Sequence, residues 1–182
     1  MFQIHYNHKA NITKLIIYIC IGLFILTQFN QTVFYALFSL YPPQPTIPGI
    51  ILHAFMHGSV MHLLFNMLAL YQIGTFLELT MGEKRFLLLY IILIILTAGA
   101  TILFGGASYY LGASGVIMGL FAYLYAILPN QTSVIKQQLF SVLLINVLIG
   151  FVPGISLVGH LGGAIFGFIL GKLGIFQNWR FR

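Results

Sequence analysis

The sequence has no aspartate, two glutamates and one cysteine among 182 residues, and only 5% of its side chains are charged. Each shortage excludes something. The lone Cys20 rules out a disulfide framework and a cysteine-based metal cluster. With 60% of residues hydrophobic and a mean hydropathy of +1.01, a chain this long cannot hide its apolar side chains in one water-soluble core. It reads as an integral membrane protein. The formal net charge of +6 comes from eight Lys and Arg residues scattered singly or in pairs, so no basic stripe is available for nucleic acid.

Apolar runs of helical length lie at 14 to 29, 50 to 78, 86 to 104, 113 to 128, 137 to 152 and 156 to 175, separated by short loops rich in Pro, Gly and polar residues. The pattern predicts an all-α membrane protein of six transmembrane helices. The expected organisation is a short tail (1 to 13), one helical domain (14 to 175) and a second tail (176 to 182). Lys9 and Lys14 precede span 1, Lys84 and Arg85 join spans 2 and 3, Lys136 joins spans 4 and 5, and Lys172, Arg180 and Arg182 end span 6. All fall on one side of a six-span chain, which the positive-inside rule makes cytoplasmic, so both termini are expected there. The segment at 33 to 40 reads as an interfacial piece of loop 1. The N-x-T triplets at Asn11, Asn30 and Asn130 carry no weight, since two of them fall on the cytoplasmic side.

Ionisable groups inside a span are costly and mark functional candidates. His53, His57 and His62 fall in span 2 and His160 in span 6, whereas His5 and His8 belong to the polar tail. Asn66 follows His62 by four residues and shares its helix face. At about 1.5 Å rise per residue, His62 and Ser114 sit about 22 to 24 Å above the inner edge, and His160 and Asn66 about 18 Å. Spans 2, 4 and 6 run in the same direction, so these groups can converge in the outer half of the bilayer. Glycines at 159, 163, 167 and 171 in span 6, and at 115 and 119 in span 4, offer small faces for close helix approach. Ser114 borders one stripe and His160 the other.

A serine hydroxyl needs a base to become a nucleophile, and His160 is the candidate. The usual third group, a carboxylate, is missing: Glu78 and Glu83 are both expected near the inner surface. Any Ser/His machinery is therefore a dyad. Opening a helix on Gly112-Ala113-Ser114-Gly115 exposes unpaired backbone N–H groups beside the hydroxyl, a preformed site for an oxyanion. His62 and Asn66 can add side-chain donors, and Gly112 and Gly115 permit the sharp turn and close substrate approach.

These stretches, "HAFMHGSVMHLLFN" (53 to 66), "GASGVIMG" (112 to 119) and "GHLGGAIFG" (159 to 167), with "ELTMGEKRFLLLY" between spans 2 and 3, resemble the rhomboid family of intramembrane serine proteases over roughly 50 to 173. The resemblance implies a six-helix rhomboid bundle with span 4 short and central below a water-filled cavity. It implies Ser114 as nucleophile, His160 as general base, and His62, Asn66 and the Ser114 amide as the oxyanion hole. His53 and His57 would support the loops and the oxyanion region, with Gly163 in the close helix contact. It further implies a transmembrane protein substrate cleaved in or near its spanning segment, entry by span 5 and the loop 151 to 156, and no cofactor or metal. The compact form suggests a bacterial inner membrane. Two departures stand out. Pro48-Gly49 replaces a Trp-Arg pair common in loop 1, and Met118 occupies a position where an aromatic ring often packs on the catalytic histidine.

Two other readings compete. A metal or haem site would use His53, His57, His62 and His160; His53 and His57 would share a helix face, but His62 lies about 140° round from His57 and nothing explains the GASG turn. A catalytically inactive rhomboid-like binding protein usually lacks the Ser or the His, and both are present.

Overall fold

The computed structural model describes residues 10–129, 132–152 and 154–176. Expectations for the tails and for Lys9, Arg180, Arg182, His5, His8, Asn130 and Pro153 lie outside these residues. The described chain is helical: α1 (Asn11–Thr27), α2 (Gln31–Phe38), α3 (Ile47–Leu52), a 3-10 turn (His53–Phe55), α4 (Val60–Met81), α5 (Glu83–Phe104), α6 (Ser114–Ile127), α7 (Ser133–Ile149) and α8 (Leu157–Lys172). Among the described residues the only strand-like feature is the isolated pair Leu40 and Tyr110, which joins loop 1 to the segment before α6.

Two helices, α4 and α5, are long and apolar enough to cross a membrane by themselves, at 22 residues each. The remaining four apolar helices, α1, α6, α7 and α8, have 14 to 17 residues. The bundle is apolar outside as well as inside: Leu15, Ile25, Leu68, Leu88, Phe104, Leu144 and Ile165 are among its exposed side chains. Helices satisfy their own backbone groups, so such a surface can be solvated by lipid.

The helix starts follow local chemistry. The side chains of Asn30, Thr46, Ser59 and Ser156 accept hydrogen bonds from first-turn N–H groups of α2, α3, α4 and α8 at 2.9 to 3.1 Å. At α1 the cap comes from far along the chain. The carboxylate of Glu78 accepts from Ile12 N (2.7 Å), Thr13 N (2.8 Å) and Thr13 Oγ1 (2.6 Å), placing a negative group at the positive end of the helix. Glu83 accepts from Asn11 Nδ2 at 2.6 Å. Glu78, near the far end of α4 from His62, is fully buried because the start of α1 covers it.

Span 2 also departs from expectation. The continuous apolar run at 50 to 78 is split: α3 and the 3-10 turn end at Met56, whose backbone is extended, and α4 starts afresh after Ser59. His53 and His57 therefore precede the spanning helix instead of lying along its face. The physical cause is Gly58-Ser59, a flexible residue followed by a good N-cap, which stops one helix and opens another.

At the centre, α6 packs against α8 backbone to backbone. A methyl group placed on Gly163 would fall on the carbonyl oxygen of Gly115, and one on Gly167 would fall on that of Gly119. Lower on the same seam, a methyl on Gly171 would come within 2.9 Å of Tyr123 O. Residue numbers rise together on both sides, so the two helices run parallel. Ten of the 14 residues of α6 are buried, which makes it the inner helix of the bundle.

Candidate active site

Three helices begin together at one end of this bundle. Ser114 is the first residue of α6, His62 lies in the first turn of α4 and His160 in the first turn of α8. A cavity of about 630 Å³ opens there, with His62, Asn66, Ser114, Met118, Asn146 and Ile155 in its lining. Residues 62 to 69 of α4 and 114 to 121 of α6 both contribute to the lining, and the His62 ring against Gly112 brings the starts of the two helices together.

The approach to Ser114 is dictated by Gly112. Its φ of +123° disfavours any side chain, and an added Cβ would meet Nε2 of His62 at 2.6 Å. The imidazole of His62 therefore lies directly against the backbone two residues ahead of Ser114. The turn is pinned from behind by Gly112 N, which donates to the carbonyl of His53 at 2.8 Å. Nδ1 of His53 in turn approaches the carbonyls of Gly49 (3.1 Å) and Ile50 (3.0 Å). Loop 1, where Pro48-Gly49 stands in place of the Trp-Arg pair, is held by these contacts and by close backbone packing: a Cβ on Gly49 would meet Ser39 O at 2.6 Å.

Unlike α4 and α8, α6 has no side-chain cap on its first turn. Its leading N–H groups have no intrahelical acceptor and lie beside Ser114, which lines the cavity. The Asn66 side chain lines the same cavity and gives one of its two amide hydrogens to His62 O at 2.8 Å, leaving the other uncommitted by that bond. His57 is fully buried, its ring edge-on to that of His62 with 5.0 Å between centroids, and neither of its ring nitrogens has a hydrogen-bond partner.

The glycine seam brings the sequence neighbours of Ser114 and His160 into contact. Gly115, next to the serine, meets Gly159, next to the histidine: a Cβ on Gly115 would lie 2.9 Å from Gly159 O. Nε2 of His160 is buried and without a hydrogen-bond partner, so no hydrogen bond joins it to Ser114 here. Nδ1 faces the main-chain carbonyl of Asn146, near the end of α7, at 2.9 Å. Sequence reasoning missed Asn146. The contact is made by a backbone atom, and no side-chain pattern announces it.

Among the described residues no group of three or more His, Cys, Asp or Glu side chains is placed to hold a metal ion. His53 and His57 lie off α4, and His53 and His160 are each turned to backbone carbonyls through Nδ1.

The Rhomboid domain family model matches residues 45–176. The chain is 38% identical over 118 residues to Rhomboid protease GluP of Bacillus subtilis, covering 62% of this chain and 23% of that protein. It is 37% identical over 122 residues to RHOMBOID-like protein 1 of Arabidopsis thaliana, covering 64% of this chain and 31% of that one. Against Rhomboid protease GlpG of Haemophilus influenzae it is 25% identical over 174 residues, covering 90% of each. The chain thus spans about a quarter to a third of the length of the first two relatives and nearly all of the third. A family match over this much of the sequence, on an all-helical apolar frame, establishes that the chain belongs to the rhomboid family of membrane proteins.

Proposed function

We propose that this protein is an intramembrane serine endopeptidase that cleaves peptide bonds in or near transmembrane segments of other membrane proteins. The observation that carries the reading is the placement of Ser114: a half-buried hydroxyl at the uncapped start of α6, lining a cavity, one residue from the seam where Gly115 meets Gly159, the neighbour of His160. Relatives over the same region are named as rhomboid proteases.

The chemistry follows from the groups present. Ser114 Oγ attacks the scissile carbonyl carbon while Nε2 of His160 accepts its proton. The carbonyl oxygen becomes an oxyanion, stabilised by the first-turn N–H groups of α6, the second amide hydrogen of Asn66 and the His62 ring. Collapse expels the amine, which takes the proton back from His160, and leaves an acyl-enzyme on Ser114. Water, deprotonated by His160, then releases the new carboxylate and restores the serine. Met118, one turn along α6 from Ser114, lines the cavity, and Gly112 keeps the path to the serine open.

The substrate class follows from the surroundings: the cavity lies among apolar helices, so a chain reaching it arrives from the bilayer and must unwind to present a carbonyl. The one-sided Lys and Arg distribution supports a six-span chain with both termini cytoplasmic. The function is tested with the full chain in proteoliposomes carrying a single-span protein whose spanning segment contains small, helix-destabilising residues. Two fragments are expected from the wild type and none from Ser114→Ala. Equal cleavage by Ser114→Ala would sink the assignment.

A further inference from the structure

We propose that α7 supplies the third group that the dyad lacks: the main-chain carbonyl of Asn146 fixes the tautomer and orientation of His160. This role rests on His160 being the base. The chain contains no aspartate, and both glutamates are engaged at the start of α1, so no carboxylate is available for the task. What does face Nδ1 of His160 is Asn146 O, at 2.9 Å. A carbonyl can only accept, so Nδ1 must carry the hydrogen and Nε2 must be bare. Nε2 is the nitrogen that a general base needs free, and here it is buried and unpartnered.

The position of Asn146 strengthens the argument. It lies in the last turn of α7, where carbonyls run out of intrahelical donors and the helix dipole presents its negative end. Its oxygen receives Gly150 N at 3.1 Å and retains a second lone pair for the histidine. That negative end faces the ring on which positive charge develops as Ser114 gives up its proton, the service a carboxylate performs in a triad. The Asn146 side chain is occupied elsewhere, donating to Val142 O at 2.8 Å, so it is the backbone that acts. Asn146 is thus a positioning residue, acting through His160.

The substitution that reaches a backbone carbonyl is Gly150→Ala. A methyl group there would meet Leu157 Cα and Val147 O, each at 2.9 Å. Both obstacles are main chain, Val147 O within α7 and Leu157 Cα at the start of α8, so the last turn of α7 must shift from both and draw Asn146 O off His160. The experiment uses the full chain with ring-¹⁵N histidine in lipid bilayers, the His160 signals being identified by their loss in His160→Gln. Wild type is expected to show a single tautomer protonated at Nδ1. Gly150→Ala is expected to show a mixture of tautomers, with kcat lower by on the order of 10²-fold and KM changed by less than about twofold. A wild type protonated at Nε2 overturns the proposal, whether or not the variant folds. So does a Gly150→Ala protein with the wild-type tautomer and kcat. Labelling of Ser114 by a fluorophosphonate separates the two levels: a wild type that labels but carries the Nε2 hydrogen defeats the role of Asn146 alone. One that neither labels nor cleaves defeats the protease reading and this role with it.

Discussion

Adding one methyl group at Gly163 probes the link between packing and chemistry most sharply. The new Cβ would land on the carbonyl oxygen of Gly115, with Gly115 C at 2.8 Å and Cα at 3.3 Å. No side chain can swing aside, because every obstacle is backbone of α6. Ordinary contact returns only if α6 and α8 separate by about 1 Å, a shift of the size that costs on the order of 10²-fold when it misplaces reacting groups. Overpacking of this kind destabilises by about 1 to 3 kcal/mol, and a collision with rigid backbone belongs at the upper end. For a chain of this size that lowers the unfolding midpoint by roughly 6 to 12 °C. The assay is cleavage of a single-span substrate in proteoliposomes, beside thermal unfolding in detergent followed by circular dichroism. Gly99→Ala in α5 is the control, since a Cβ there meets nothing within 4 Å, and its stability should stay within about 0.5 kcal/mol of wild type. A Gly163→Ala protein that melts within 2 °C of wild type and cleaves at the wild-type rate, to within about twofold, would refute the claim that the seam sets the Ser114 to His160 geometry.

Further outcomes follow from other contacts. His62→Ala and Asn66→Ala should each lower kcat by about 10- to 1,000-fold with the fold intact, as loss of one oxyanion donor does; unchanged turnover in both would remove them from the oxyanion hole. Glu78→Gln puts an amide where three donors converge on a carboxylate, and should cost about 2 to 4 kcal/mol in chemical denaturation while the surviving folded fraction keeps its cleavage rate. Wild-type stability in Glu78→Gln would contradict the role assigned to that cap.

Much of the frame was legible because the membrane makes sequence signals blunt. Long apolar runs announced the helices, and glycines at intervals of four announced a seam that the structure places between α6 and α8, with Gly115 and Gly119 against Gly163 and Gly167. The uncapped start of α6 was legible too, because a serine between glycines has few other uses at the head of an apolar helix. What the sequence concealed were local events that hydropathy does not see. The stretch 50 to 78 is apolar throughout, yet Gly58-Ser59 cuts it, and His53 and His57 thereby precede the spanning helix, with the His53 carbonyl accepting from Gly112 N. That Glu78 caps the start of α1, 65 residues back along the chain, is likewise invisible to hydropathy. The carbonyl of Asn146 could not be found from side-chain chemistry, since every residue carries one.

The central claim is that Ser114 is an activated nucleophile and His160 its activator. The measurement that tests it most directly is covalent labelling of purified protein by a fluorophosphonate probe, for wild type, Ser114→Ala and His160→Ala, which needs no knowledge of the substrate. Labelling of wild type and its loss in both variants, each still folded by circular dichroism, is the expected result. A folded wild type that stays unlabelled while an active rhomboid protease labels in parallel, or a Ser114→Ala protein that labels as wild type does, would contradict the account and favour a rhomboid that binds membrane proteins without cutting them.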